Sequence, residues 1–162
     1  STDYEFVVHA LDWFEQHEHR VPDYIVHLRP TTPLRQAGVV EAAVDTMLKD
    51  AEATALRSVH EMSETAYKCF EIDSKFLKCV GSGSFELEAA NRPRQGFPKT
   101  YHANGYVDVL RTAFIRTQRQ IHGNRVAAFV TPAAVEVDTP ADFEFLEFQM
   151  QRDRHLYAPL FG

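Results

Sequence analysis

Cysteine is scarce in this sequence, and its scarcity excludes one class of protein. Only two cysteines, Cys69 and Cys79, occur among 162 residues, whereas a small disulfide-stapled protein needs several. We therefore interpret them as packed or idle thiols, and their number favours a reducing, cytoplasmic location. The eight histidines show no spacing that is typical of a metal site either.

Long apolar runs and positive charge are lacking as well. No apolar run approaches the roughly 20 residues of a membrane-spanning helix, and 23 acidic residues outnumber 17 basic ones to give a net charge of −6. Because nucleic-acid binding needs a positive surface, we expect neither a membrane nor a nucleic acid as partner. With 44% hydrophobic residues, residues 1–162 suffice for a single domain with a buried core.

The apolar residues recur with helical spacing in some segments and form strand-like runs in others. The predicted helices are Asp3–Glu18, Gly38–Asp50, Thr112–Gln120 and Pro140–Arg152, and the predicted strands are Tyr24–Leu28, Ala55–His60, Tyr67–Ile72, Phe76–Val80, Tyr106–Leu110 and Val126–Val130. Strands that alternate with helices predict a layered α/β domain with a largely parallel sheet. The apolar tail, Leu156–Gly162, is expected to dock on it.

The most informative stretch is Leu28-Arg-Pro-Thr-Thr-Pro-Leu-Arg35, called the proline loop below. It follows a strand pattern, and its two prolines can continue neither a strand nor a helix interior. The loop carries two guanidiniums and two hydroxyls, those of Arg29, Arg35, Thr31 and Thr32. Such donors at the carboxyl edge of an α/β sheet suit an anionic ligand. The alternative is a proline-stiffened surface turn with solvated arginines.

A second group of positive charges lies in residues 91–105. Arg92, Arg94, Lys99 and His102 fall within eleven residues of an otherwise acidic chain. A local cationic segment of this kind indicates a bound anion or a partner chain. A solvated loop is the alternative.

An acidic pair precedes the last helix, in Val135-Glu-Val-Asp-Thr-Pro-Ala-Asp142. On an extended chain residues i and i+2 point to the same side, so Glu136 and Asp138 are predicted to project together. Two carboxylates suit Mg²⁺, which prefers oxygen ligands and commonly also holds substrate phosphates. The alternative is a solvated edge strand. Thr139 and Pro140 have the residue types that cap and begin a helix.

Three motifs agree in order and spacing with one family. The proline loop resembles the signature Leu-Gln-Pro-Thr-Ser-Pro-Leu-Arg, and Arg94-Gln95-x-x-Pro98 followed by Asn104-Gly105 resembles Arg-Gln-x-x-Pro…Asn-Gly. Val135–Asp142 resembles Asp-Ile-Asp-Thr-x-x-Asp. Over Ser1 to about Gln149 the sequence is thus similar to the acylneuraminate cytidylyltransferases, or CMP-sialic acid synthetases. That family includes enzymes for other acidic sugars, such as legionaminate, pseudaminate and the octulosonate of lipopolysaccharide.

The resemblance implies a fold and a reaction. The fold is Rossmann-like, with three layers and a largely parallel sheet. The reaction joins CTP to an acidic α-keto sugar of the nonulosonate type, releases pyrophosphate and uses Mg²⁺. It further implies a cytoplasmic homodimer in which residues 91–105 contact both the sugar and the second subunit.

The resemblance also assigns roles to residues. Asp138 and Arg94 match catalytic positions, and Asp138 with Glu136 matches the metal site. The residues that match substrate-binding positions are Arg29, Thr31, Thr32, Arg35, Lys68, Gln95, His102 and Asn104. Three positions depart from the family: Glu136 replaces the usual Asp, Arg29 replaces a Gln, and His102 stands where Arg is frequent. The last two departures leave the identity of the sugar open.

Family members begin with a strand and a loop rich in Gly, Arg and Lys that hold CTP, and this sequence contains no counterpart. We therefore expect the C-terminal two-thirds of a cytidylyltransferase, inactive on its own. The alternative is a truncated, non-catalytic relative that acts as a sugar-binding or dimerisation module. A nucleotidyltransferase for a neutral sugar fits less well, because Arg94 and Lys68 suit an acidic substrate.

Overall fold

A computed structural model describes residues 2–81 and 87–154. Its helices are α1 (Asp3–His17), α2 (Ala37–Lys49), α3 (Leu87–Ala90), α4 (Thr112–Gln118) and α5 (Pro140–Arg152), and its strands are β1 (Tyr24–His27), β2 (Ala55–Glu61), β3 (Phe70–Asp73), β4 (Phe76–Cys79), β5 (Tyr101–Arg111) and β6 (Val126–Val130). The apolar tail lies outside the described residues. Within the described ranges no helix is long and apolar enough to cross a membrane.

Reciprocal capping hydrogen bonds begin the first and the last helix. The Thr2 hydroxyl accepts from the amide of Glu5, and the Glu5 carboxylate accepts from the amide of Thr2. Thr139 and Asp142 form the same arrangement at α5, with Pro140 in the first turn. These interactions satisfy amides that would otherwise lack a partner, so the predicted starts of both helices are confirmed.

The main sheet has the strand order β1-β5-β2-β6. β1 runs antiparallel to β5, with Ile25 opposite Leu110, whereas β2 runs parallel to β6, with Arg57 opposite Ala128. The sheet is therefore mixed, and the prediction of a largely parallel sheet is wrong. Strands that alternate with helices favour parallel pairing but do not fix the direction of each strand, which explains the error.

The chain divides into two compact units, one from residues 1–59 and 103–162 and the other from His60–His102. In the first unit, Leu56 packs with Met47 of α2, and the neighbouring Ala55 packs with Leu11 of α1 and Ile115 of α4. Since successive side chains of a strand point to opposite faces, this sheet is covered by helices on both faces. The mixed α/β class is thereby confirmed.

The second unit contains the hairpin of β3 and β4, joined by a turn at Ser74. The predicted strand from Tyr67 begins only at Phe70, because Ala66–Lys68 forms a short 3₁₀ turn capped by the Thr65 hydroxyl. The expected irregular segment at 91–105 is also shorter than predicted. Its last residues belong to β5, which begins at Tyr101.

Candidate functional site

Arg35 joins the proline loop to the beginning of β5. Its Nε donates to the carbonyl of Tyr106 at 2.6 Å, and its Nη2 donates to the carbonyls of Gly105, at 3.0 Å, and of Arg29. Partial burial lowers the pKa of Arg35, opposed by the nearby Tyr106, although a guanidinium stays charged. The loop also gains a contact at Gln36, whose amide donates to the Tyr106 hydroxyl at 2.6 Å.

Three polar side chains, of Thr32 in this loop and of Asn104 and Thr131, are buried. Asn104 is 1% exposed, and its Nδ2 donates to Thr131 Oγ1 at 2.7 Å. Its Oδ1 accepts from the amide of Tyr106 at 3.3 Å. Thr32, also 1% exposed, donates to the main-chain carbonyl of Asn104 at 3.4 Å. Because buried polar groups are stable only when hydrogen-bonded, this network holds the strand end and the loop in one arrangement.

Gly105 is the point where the loop, the strand and the acidic segment meet. Its φ of +61° lies in the left-handed region, which glycine adopts without the cost that a Cβ brings. A Cβ built here would lie 2.9 Å from Glu136 Oε1 and 3.1 Å from both Arg29 Cδ and Thr32 Oγ1. The structure thus brings Arg29, Thr32 and Glu136 together around one glycine.

The acidic segment is tied to the loop through its main chain. The amide of Val137 donates to the carbonyl of Thr31 at 2.8 Å. The alternative of an edge strand is excluded for this segment, since residues 131–139 have no strand pairing. The amide of Asp138 donates to Asp142 at 3.2 Å, and the Thr139 hydroxyl, donating to the same carboxylate, is the main cause that lowers the pKa of Asp142.

Two carboxylates, those of Glu136 and Asp138, suit Mg²⁺ better than they suit a metal whose ligands all come from the protein. Within residues 2–81 and 87–154 no three His, Cys, Asp or Glu side chains form a group that could hold a metal. Mg²⁺ commonly binds through one or two carboxylates and completes its shell with water and phosphate oxygens. These two residues could hold it in that manner.

Arg29 forms an ion pair within the same unit. Its Nη2 lies 2.7 Å from Asp3 Oδ2 in the first turn of α1. Its Nε is buried and has no hydrogen-bond partner among the described residues. A ligand carboxylate at Arg29 would therefore compete with Asp3 for the charge of the guanidinium.

A second cluster lies in the other unit, around a cavity of about 460 Å³ lined by Glu61, Arg94, Gln95 and Lys99, among others. Glu61 lies 2.7 Å from Lys99 and 3.5 Å from Arg94. The hydrogen bond from Lys99 is the main cause that lowers the pKa of Glu61, and the same bond raises the pKa of Lys99. Arg94 also donates to the carbonyl of Met62 at 3.2 Å.

The remaining predicted residues of this unit lie beside aromatic rings. Lys68 Nζ is 6.0 Å from the ring centre of Phe97, a distance at the limit of a cation–π interaction. The His102 ring is 5.7 Å from that of His60. The predicted residues thus fall into two groups: Lys68, Arg94, Gln95 and His102 in this unit, and Arg29, Thr31, Thr32, Arg35, Asn104, Glu136 and Asp138 in the other. Their roles in binding and catalysis stay predictions.

Sequence reasoning missed two carboxylates. Glu61 is the last residue of β2, and its carboxylate accepts a hydrogen bond from Lys99. The signal in the sequence was a charged residue at the end of an apolar strand. Asp108 is 3% exposed, with Arg57 Nε at 3.8 Å and His122 Nε2 at 3.5 Å. Its signal was a carboxylate in the middle of an apolar strand, since charged residues are rarely buried unless they are paired.

Comparison with solved structures identifies the class of fold. One matching structure is that of CMP:2-keto-3-deoxy-manno-octonic acid synthetase complexed with CTP, with a TM-score of 0.61 and 14% sequence identity over 94% of this chain and 69% of that chain. No family model and no curated protein matches the sequence. At this identity the likeness shows the fold alone. The resemblance to the acylneuraminate enzymes in particular stays a prediction.

Proposed function

We propose that this chain belongs to a cytidylyltransferase that activates an acidic α-keto sugar with CTP. The supporting observation is the meeting of the proline loop and Glu136 at Gly105, within a fold similar to that of a CTP-bound sugar synthetase. The proline loop, Gly105 and Glu136 each come from one of the three motifs on which the family resemblance depends, although they are far apart in the sequence. A finer Rossmann-like architecture, with Mg²⁺ as cofactor, belongs to the same proposal.

The proposed reaction is a displacement at phosphorus. The anomeric hydroxyl oxygen of the sugar bonds to the α-phosphorus of CTP, the bond from this phosphorus to the bridging oxygen breaks, and pyrophosphate leaves. The hydroxyl proton passes to a base or to water. Mg²⁺ supplies charge stabilisation to the phosphate oxygens when bound. Glu136 and Asp138 would hold the ion, and Arg29 of the proline loop and Arg94 would bind anionic groups of the substrates.

We further propose that the enzyme is a homodimer in which residues 91–105 lie against the second subunit, and that the hairpin of β3 and β4 adds to this interface. In the hairpin Phe70 and Cys79 are opposite each other, as are Ile72 and Leu77, so these four side chains share a face. Phe70, Ile72 and Leu77 are 44%, 75% and 44% exposed. A two-stranded hairpin is marginally stable alone, and an exposed apolar patch commonly marks an interface.

The test of function is product formation by the protein from the complete reading frame that encodes this chain. CTP, Mg²⁺ and a panel of octulosonate, sialic acid, legionaminic and pseudaminic acid are supplied, with a neutral hexose as control. We expect pyrophosphate release with one or more acids and a CMP-sugar of the corresponding mass. Saturable binding of an acidic sugar, with no release of pyrophosphate from CTP in the presence of any of the acids, would contradict the enzyme proposal and favour the binding module.

A further inference from the structure

Arg35 differs from the other cations of the site in where its hydrogen bonds go. Two of its nitrogens donate to three main-chain carbonyls, those of Arg29, Gly105 and Tyr106. One of these carbonyls is in the proline loop, and two are at the beginning of β5, about 70 positions further along the chain. Arg35 therefore connects two segments that have no short covalent link.

The connected segments are those that place Glu136. Gly105 has a carbonyl that accepts from Arg35, and a Cβ built on it would lie 2.9 Å from Glu136 Oε1. On the loop side, the carbonyl of Thr31 accepts from the amide of Val137, the residue after Glu136. Glu136 thus lies beside Gly105 and next to a residue bound to the loop, and Arg35 bonds to both Gly105 and the loop. The planar guanidinium can serve several carbonyls at fixed angles, whereas a lysine ammonium is a single point of charge.

We propose that Arg35 is a positioning residue, whose guanidinium sets the separation of the proline loop from Gly105 and thereby the place of the Glu136 carboxylate. Arg35 reaches the acidic segment through the main chain of two other segments, so its action on the reaction is indirect. The effect on metal binding and turnover rests on the function proposed above. The effect on the geometry does not.

A matched control exists on the same strand. Arg111, at the other end of β5, also donates to two main-chain carbonyls, those of Ala53 at 3.1 Å and Asp50 at 3.0 Å. We compare Arg35→Lys with Arg111→Lys in the protein from the complete reading frame. Both variants are expected to lower the thermal midpoint, because each leaves partly buried carbonyls without donors.

Hydrogen exchange at the amide of Val137 separates a positioning role from a general structural one. We expect Arg35→Lys to accelerate this exchange about ten-fold, and Arg111→Lys to change it less than about two-fold. Equal acceleration in both variants, or none in Arg35→Lys, overturns the proposal. If Arg35→Lys fails to fold, hydrogen exchange of the Arg35 Nε–H in the unmodified protein tests the proposal instead. Slow exchange is expected for a donor held at 2.6 Å from the Tyr106 carbonyl, and exchange at the rate of a solvated arginine overturns the proposal.

Metal binding and kinetics give the second readout. Supporting groups around a metal site typically change affinity by about ten-fold or more, so we expect weaker Mn²⁺ binding by about that factor in Arg35→Lys and no change in Arg111→Lys. Turnover in Arg35→Lys should fall while the KM for CTP stays within about two-fold. Equal Mn²⁺ affinities in the two variants would overturn the link to the metal. Failure of the unmodified protein to form any CMP-sugar would refute the proposed function alone, since the exchange measurement needs no turnover.

Discussion

Asp3 and Arg29 form an ion pair of 2.7 Å between the first turn of α1 and the proline loop. Arg29 stands where the resembling family has an uncharged glutamine, so a neighbouring carboxylate reduces the effect of the extra charge. Both side chains are partly exposed, and such a pair contributes about 1 kcal/mol at most. A substrate carboxylate can therefore compete with Asp3 for Arg29.

The first prediction concerns this competition. Replacing the carboxylate by an amide in Asp3→Asn should lower the KM for the acidic sugar about two- to five-fold, because the charge of Arg29 is then available. Asp12→Asn is the control. Asp12 lies elsewhere on α1 and pairs with Arg116 of α4, so this substitution should leave the KM unchanged. An unaltered KM in Asp3→Asn would show that Arg29 does not meet the sugar carboxylate.

The second prediction concerns Asp138. Asp138→Ala should reduce metal-dependent turnover by about three orders of magnitude, because a bound metal contributes several kcal/mol to the barrier. The thermal midpoint should not change, since the helix cap uses the main chain of Asp138 and not its carboxylate. Glu147→Ala, on the exposed surface of α5, is the control. Full activity of Asp138→Ala would remove this residue from the metal site.

The third prediction is a pH dependence in the second unit. The hydrogen bond from Lys99 lowers the pKa of Glu61 below its ordinary 4.5, so the stabilisation by Glu61 is present above this pH and is lost as the pH falls through the lowered pKa. The pKa of Lys99 is raised above its ordinary 10.5. The stabilisation by Lys99 is therefore present below pH 10.5 and is lost as the pH rises through the raised pKa.

Titration of Glu61 by carbon NMR measures this interaction directly. Lys99→Gln should move the pKa of Glu61 upward, and Arg94→Gln should move it less, because Arg94 is 3.5 Å from the Glu61 carboxylate whereas Lys99 is 2.7 Å from it. High salt should weaken the effect, since the pair is exposed to solvent. Identical titration curves for Lys99→Gln and the unmodified protein would mean that the pair does not form in solution.

The fourth prediction concerns the hairpin. Ile72→Lys places a charge on its exposed apolar face and should convert a dimer to a monomer in sedimentation equilibrium, because burying an unpaired charge is costly. Glu71→Gln is the control: it changes the opposite face, where Glu71 pairs with Lys78 at 3.1 Å, and should leave the dimer intact. A folded monomer in the unmodified protein, or a dimer in Ile72→Lys, would contradict the proposed interface.

Local signals in the sequence were sufficient for much of the fold. The helix from Asp3 and the helix from Pro140 begin where their capping residues predict, since a cap involves residues only three positions apart. The strand before the proline loop is correct to one residue at its end. The short 3₁₀ turn at Ala66–Lys68 was missed, because a strand-like composition does not exclude a turn.

Long-range relationships could not be predicted from the sequence in this way. The beginning of β5 contains Asn104 and Gly105, residue types that are depleted in strands, and it is a strand because the sheet overrides local preference. The hydrogen bonds of Arg35 join positions about 70 residues apart, and no local pattern indicates them. The partner of each side chain in the motifs needed the structure, and the role of these segments in the reaction stays a prediction.

The left-handed backbone of Gly105 has a consequence for engineering. A single methyl group at this position would have to displace Glu136, Arg29 and Thr32 together. Position 105 therefore has no room for a side chain. A saturation library at position 105 should return active clones with glycine only, whereas a library at Arg29 can accept shorter side chains. Attempts to change sugar preference should therefore start from Arg29 and not from Gly105.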